Sequence, residues 1–263
     1  MLSRSEFTSR FGNRALIAMV HLRPLPGAPL FRSLDEVTEG ALADARAIRD
    51  GGAAGMIFEN FGDRPFQKRV DAETIASMAA VIAIVAHEVK LPFGVNVLRN
   101  DGLAALAVAA ATGAAFIRIN VLTGAMVTDQ GIIEGRAADL LRKRETLAPL
   151  VAIFADHLVK HASPLGSFDP VQSVKDLRSR ALADAIVVTG KATGAAADSD
   201  ELRELRSILP DAPLIVGSGI DAKNASLFTE ADAAIVGTSI KRDGDVELPV
   251  ESARVARIVE AFC

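Results

Sequence analysis

Phe93-Gly94-Val95-Asn96-Val97-Leu98 and Phe116-Ile117-Arg118-Ile119-Asn120 are short β-rich runs on either side of the Ala-rich segment Asp101-Gly102-Leu103-Ala104-Ala105-Leu106-Ala107-Val108-Ala109-Ala110-Ala111-Thr112-Gly113. A capping aspartate opens that segment and a glycine stops it, so the stretch reads strand, helix, strand, the pattern of a βαβ unit rather than of a hairpin. Outward from it the pattern repeats. Strands are predicted at Ala15–Leu22, Gly55–Asn60, Phe93–Leu98, Phe116–Asn120, Val151–Asp156, Ala185–Thr189, Pro213–Gly217 and Ala233–Gly237. Helices are predicted at 35–50, 71–90, 101–113, 131–147, 170–182, 199–209, 221–230 and 249–262. Asp169-Pro170 and Asp221 supply further starts, and Gly51-Gly52 and Pro210 further stops. Eight units of roughly 30 residues match the ~250-residue α/β fold of a (β/α)8 TIM barrel, with an open doubly wound sheet as the alternative. No Gly, Ser or Pro linker divides the chain, so residues 1–263 are expected to form one domain, with 1–14 as an N-terminal extension.

Composition narrows the function. The chain has 263 residues, 50 % of them hydrophobic, a net charge of −4, one cysteine, and neither Trp nor Tyr. A chain of this length buries a sizeable core without staples. The lone Cys263 excludes an intramolecular disulfide and a thiolate metal cluster. Scattered basic residues, the densest run being Arg142-Lys143-Arg144, and the absence of Trp and Tyr argue against nucleic acid as a partner. The N-terminus lacks an apolar signal core and the Ala-rich stretches are too short to cross a bilayer, so no transmembrane segment and a cytoplasmic location are expected. A homo-oligomer is left open.

Period-two geometry then points the polar residues. Ile117 and Ile119 face the helices while Arg118 and Asn120 face the barrel interior; Val95 and Val97 face outward and Asn96 inward. His21 ends the first strand on the parity of Met19, Glu59-Asn60 ends the second, and Asp156 ends the fifth. A buried guanidinium needs a carboxylate, with Asp156 on the neighbouring strand the first candidate and Glu59 the second. These groups gather at C-terminal strand ends, where barrel enzymes keep their active sites. The alternative is a structural ion-pair layer. His157 and His161 follow strand five as acid/base candidates or exposed loop residues, and Lys160 and Lys191 are weaker candidates.

Strand seven runs into Gly217-Ser218-Gly219-Ile220-Asp221 and strand eight into Gly237-Thr238-Ser239-Ile240-Lys241. Glycines let backbone amides approach an anion, and barrels often hold a phosphate between these two loops. Thr238 and Ser239 add hydroxyl donors, and Lys241 adds charge if its side chain turns back toward the site. The alternative is that each glycine merely serves a tight turn. The long polar loop Thr123–Gly131 sits at the same rim and could close over a substrate, whereas the Pro-rich His21–Pro29 could line or brace it. No cofactor is called for, although paired carboxylates with Asn and His allow a weak Mg²⁺ site.

The motifs Val20-His21-Leu22-Arg23-Pro24-Leu25-Pro26-Gly27, Glu59-Asn60-Phe61-Gly62-Asp63, Gly94-Val95-Asn96-Val97-Leu98-Arg99-Asn100-Asp101, Thr128-Asp129-Gln130-Gly131, Val159-Lys160-His161, Val188-Thr189-Gly190, Gly217-Ser218-Gly219 and Gly237-Thr238-Ser239 resemble the BtpA family, including its SgcQ-type members, from about residue 15 to the end. The resemblance implies a ribulose-phosphate-binding kind of TIM barrel. It also implies functional positions at His21, Glu59, Asn60, Asn96, Arg118, Asn120, Asp129, Asp156, Lys160 and His161, with Asn60, Asp129 and Gly190 on the ligand-binding side. Two functions follow as expectations. The first is an isomerase or lyase acting on a phosphorylated sugar or sugar-linked metabolite, a small anionic ligand: Glu59 or Asp156 takes a proton, Lys160 or His161 returns one, and Arg118, Asn96 and Asn120 hold the oxygens on which charge develops. The second is a non-catalytic photosystem I biogenesis factor, peripheral to membranes.

Overall fold

In the computed structural model, which describes residues 1–159, 161–190 and 198–263, parallel strands close into a barrel. The chain runs α1 (Arg4–Phe11), β1 (Ala15–His21), α2 (Leu34–Asp50), β2 (Gly55–Glu59), α3 (Ala72–Glu88), β3 (Phe93–Asn96), α4 (Gly102–Thr112), β4 (Phe116–Ile119), β5 (Ala125–Thr128), β6 (Gly131–Glu134) and α5 (Ala137–Leu147). It continues through β7 (Ala152–His157), β8 (Ala162–Pro164), α6 (Pro170–Ser179), β9 (Ala185–Val188), α7 (Ser199–Ile208), β10 (Leu214–Val216), β11 (Ala233–Val236) and α8 (Ser252–Phe262). Around the barrel the order is β1-β2-β3-β4-β7-β9-β10-β11, and β11 pairs back with β1 through Ala15↔Ala233 to Ala18↔Val236. This closure excludes the open doubly wound sheet.

The outward strand faces (Val95, Val97, Ile117, Ile119, Ile153, Val188) merge with the apolar stripes of the helices in one cluster. The inward faces (Ile17, Met19, Ile57, Phe116, Phe154, Val187, Ile215, Ile235) form a second. Helix ends follow the local chemistry. Asp101 accepts the Ala104 N–H at 3.0 Å and Gly113 closes α4 in the left-handed region at φ 80°. Asp169 caps α6 ahead of Pro170.

Ahead of the first strand, α1 places Phe7 and Phe11 against Phe154 (ring centroids 5.7 and 5.4 Å), plugging the end opposite the site. Two local expectations are corrected. The helix predicted over 221–230 is reduced to a 3-10 turn, Ala225–Leu227. There the Asp221 carboxylate accepts the Lys223 and Asn224 N–H groups and Asn224 Oδ1 accepts the Asp221 N–H, the reciprocal pair that opens a helix, but the turn it opens runs no further than Leu227. The loop Thr123–Gly131 and the start of the predicted helix 131–147 instead form the hairpin β5–β6, which pairs with β8 into a three-stranded sheet and packs Met126 and Ile133 on Val121 and Val159.

The floor plug is a testable element. Phe7→Ala is expected to cost about 3–5 kcal/mol, the usual penalty for emptying a buried aromatic site, read as a lower urea midpoint, while ligand binding at the far end stays unchanged. A shift within error of zero removes α1 from the account of stability.

Candidate functional site

The C-terminal strand ends meet in a cavity of about 410 Å³. Its floor is set by register: Asn96 lies opposite Arg118, Glu59 opposite Asn96 and His21 opposite Glu59, all on the inward parity. Arg118 donates through Nε and Nη2 to the two carboxylate oxygens of Asp156, at 2.8 and 3.1 Å. Asn120 donates to the same Asp156 Oδ2 at 2.9 Å, and Asn96 donates to the Arg118 carbonyl at 3.1 Å and to Asn120 Oδ1 at 3.3 Å. Arg118, Asp156, Asn120 and Asn96 are all buried. Burial alone would pull the Arg118 guanidinium down, but the charge and hydrogen bonds of Asp156, with help from Glu59, hold its pKa above an ordinary arginine's.

Glu59 and His21 form the second feature. His21 Nε2 lies 3.8 Å from Glu59 Oε1, and the imidazole packs on Phe61 with ring centroids 4.7 Å apart and the planes tilted by 37°. On its other side is Gly237, where a Cβ would stand 3.0 Å from His21 Cε1, so glycine makes room for the ring. His161 also lines the cavity.

The loops after β10 and β11 form the remaining wall, with Gly217, Ser218, Gly219, Gly237, Thr238 and Ser239 facing the cavity. Gly219 sits at φ 66°, a turn that suits glycine. Thr238–Ile240 is a single 3-10 turn, so its first amides have no partner within the turn. Ser239 donates to the Ile220 carbonyl at 2.6 Å and ties the two loops together. Ser218 accepts the Gly190 N–H at 2.6 Å, which fixes Gly190 behind the wall rather than in it.

Several residues expected at the site fall elsewhere. Lys241 does not turn back: its Nζ donates to Asp44 of α2 at 2.5 Å, in a buried ion pair completed by the Val250 N–H on Asp44. Asn60 stands outside the cavity, its amide bonded to both backbone groups of Leu98 and to Asp63. Asp129 is at the β5–β6 turn, hydrogen-bonded to Gln130, and Asn96 supports the floor from behind. Lys160 and Lys191 lie outside the described residues. His157 is no exposed loop residue: it ends β7 on the outward parity, buried, with neither ring nitrogen hydrogen-bonded among the described residues, and burial pushes its pKa down to about 4. Among the described residues no three His, Cys, Asp or Glu side chains gather as metal ligands, and no helix is long and apolar enough to cross a membrane. Arg99, absent from the sequence candidates, lines the cavity from the loop after β3. Its parity at the strand end gave no inward signal; the motif around it was the available clue.

The model of the BtpA family matches residues 12–263. An uncharacterized protein of Thermococcus kodakarensis is 49 % identical over 252 residues, covering 95 % of both chains. A Synechocystis protein named photosystem I biogenesis protein BtpA is 43 % identical over 250 residues, covering 94 % of this chain and 87 % of that one. Among solved structures, N-(5'-phosphoribosyl)anthranilate isomerase from Pyrococcus furiosus superposes with a TM-score of 0.56 at 11 % identity, covering 94 % of this chain and 98 % of that one, a likeness of fold.

Two outcomes follow from the geometry. Asp156→Asn leaves the Arg118 charge buried without its counter-charge and is expected to destabilise by about 3–5 kcal/mol in urea unfolding; Arg118→Met with Asp156→Leu should recover most of that loss. Because the unfolded chain binds the His157 proton below its ordinary value of 6.5 and the folded chain does not until about 4, stability should fall as pH drops through that window, by at most about 3 kcal/mol. His157→Phe should flatten that part of the pH–stability curve; an unchanged slope would place the titration elsewhere.

Proposed function

The chain belongs to the BtpA family, and from the mouth of its barrel we propose that it is an enzyme acting on a phosphorylated sugar or sugar-linked metabolite, as an isomerase or lyase. The observation that carries this reading is the convergence, in one cavity of about 410 Å³, of the glycine loops after β10 and β11 with the Glu59–His21 pair and the Arg118–Asp156–Asn120 floor. A cavity of that volume lies in the range of small-molecule sites. The phosphate is held by amides of Gly219, Gly237, Thr238 and Ser239, and the near-neutral chain needs no lysine there because converging backbone amides carry the attraction.

The reacting carbon then lies over the floor. Glu59, which lines the same cavity beside His21, serves as the base. Glu59 takes a proton from the carbon next to a carbonyl, the electron pair moves onto the carbonyl oxygen, and Arg118 and Asn120 stabilise the resulting enediolate. In an isomerisation the hydroxyl on the deprotonated carbon passes its proton to the enediolate oxygen and becomes the new carbonyl while His161 protonates the former carbonyl carbon; in a cleavage Glu59 takes the β-hydroxyl proton instead, that carbon leaves as an aldehyde, and the bond electrons form the enediolate of the remaining fragment, which His161 protonates. A second reading, a non-catalytic photosystem I biogenesis factor, is favoured by the name of the Synechocystis relative at 43 % identity.

Deuterium exchange from heavy water into a panel of sugar phosphates tests the first reading. The wild type is expected to label at least one ligand, and Glu59→Gln to slow labelling by about 10²- to 10⁴-fold while phosphate-induced thermal stabilisation persists. Equal labelling by Glu59→Gln removes Glu59 as the base. Stabilisation by no phosphorylated ligand, with retention on thylakoid-type membranes, favours the second reading.

A further inference from the structure

Arg99 faces the cavity but has no task in the steps above. Its position is informative. In the closed strand order, β3 stands four places from β10 in either direction, so the loop that carries Arg99 is diametrically across the mouth from Gly217–Gly219. A ligand whose phosphate rests against the β10 and β11 loops and whose reacting carbon lies over the floor therefore directs its far end at Arg99.

The segment is also held rigidly. On one side of Arg99, Asn60 accepts the Leu98 N–H at 2.7 Å and donates to the Leu98 carbonyl at 3.3 Å. On the other, Asn100 accepts the Val121 N–H at 2.8 Å and donates to the Val121 carbonyl at 2.9 Å. Arg99's own N–H donates to the Gln67 carbonyl at 2.8 Å. A backbone fixed on both flanks delivers a guanidinium at little ordering cost on binding. Arg99 as a residue is 9 % exposed, and burial draws its pKa below an ordinary arginine's despite the opposing pull of Asp156, Asp129 and Glu59.

Resting on the phosphate reading above, we propose that Arg99 binds a carboxylate at the end of the substrate remote from its phosphate, so that the substrate class is a phosphorylated sugar acid. The planar guanidinium matches the two oxygens of a carboxylate. A second phosphate would bring close to two negative charges toward a guanidinium that already shares the field of three carboxylates. A carboxylate brings one.

Isothermal titration with inorganic phosphate and a matched set of six-carbon probes tests this: 6-phosphogluconate, glucitol 6-phosphate, which lacks only the carboxyl, and glucitol 1,6-bisphosphate. The wild type is expected to bind 6-phosphogluconate about ten- to a hundred-fold more tightly than glucitol 6-phosphate, and the bisphosphate no more tightly than glucitol 6-phosphate. Arg99→Met should abolish the preference and leave glucitol 6-phosphate affinity within about two-fold. Equal wild-type affinity for the acid and the alcohol overturns the proposal even if Arg99→Met does not fold, and a preference for the bisphosphate overturns the choice of carboxylate. If both monophosphates and inorganic phosphate all fail to bind, the phosphate reading itself has failed. If glucitol 6-phosphate binds without discrimination, only the role of Arg99 has.

Discussion

Arg118 places a full positive charge inside the barrel, and its compensation by Asp156 is the constraint around which the mouth is arranged. The pair is bidentate, across neighbouring strands β4 and β7, and both side chains are buried. In so dry a position neither group is tolerable alone, whereas together they form a rigid polar floor. Asn120 joins the acid and Asn96 joins Asn120, so positions fixed by strand parity become one connected network. Apolar layers beneath it, closed from the far end by Phe7 and Phe11, keep water from competing for these bonds.

That floor divides the mouth into parts with different chemistry. Glu59 and His21 lie to one side of the Arg118–Asp156 pair, with His21 held between Phe61 and the bare face of Gly237. The β10 and β11 loops lie beyond, knotted by Ser239 on Ile220 and by Asn224 on Gly219. On the proposed reading this gives an anchor, a base and an oxygen-binding floor with the anchor set apart from the chemistry, the arrangement that lets remote binding energy position a reacting carbon.

Much of this was legible in the sequence because strands have a period of two. Ile117 and Ile119 against Arg118 and Asn120, and Val95 and Val97 against Asn96, settle which side chains enter the barrel without any knowledge of loops. What was not legible depends on contacts distant in sequence. Lys241 reads as a phosphate-side cation because it follows a glycine loop, yet its partner is Asp44, nearly two hundred positions earlier; the signal was an aspartate on the apolar stripe Val37, Ala41, Asp44, Ala45, Ile48 of α2. At 221–230 the start signal was genuine, since Asp221 and Asn224 cap each other's backbone as at a helix N-terminus, but the turn ends at Leu227 and that stop was not legible. In the hairpin, the alternation of Met126 and Ile133 was masked by the polar turn between them. Arg99 was missed because parity rules end where the strand ends.

On the proposed reading an oxyanion binds where the β10 and β11 loops meet, over a floor fixed by Arg118 and Asp156. A crystal grown with millimolar inorganic phosphate locates that anion directly. Density is expected within hydrogen-bond distance of the Gly219, Thr238 and Ser239 amides, with the Arg118–Asp156 pair unbroken beneath it. An anion seated instead on Arg118, with Asp156 displaced, or a mouth left empty at that concentration, would contradict it.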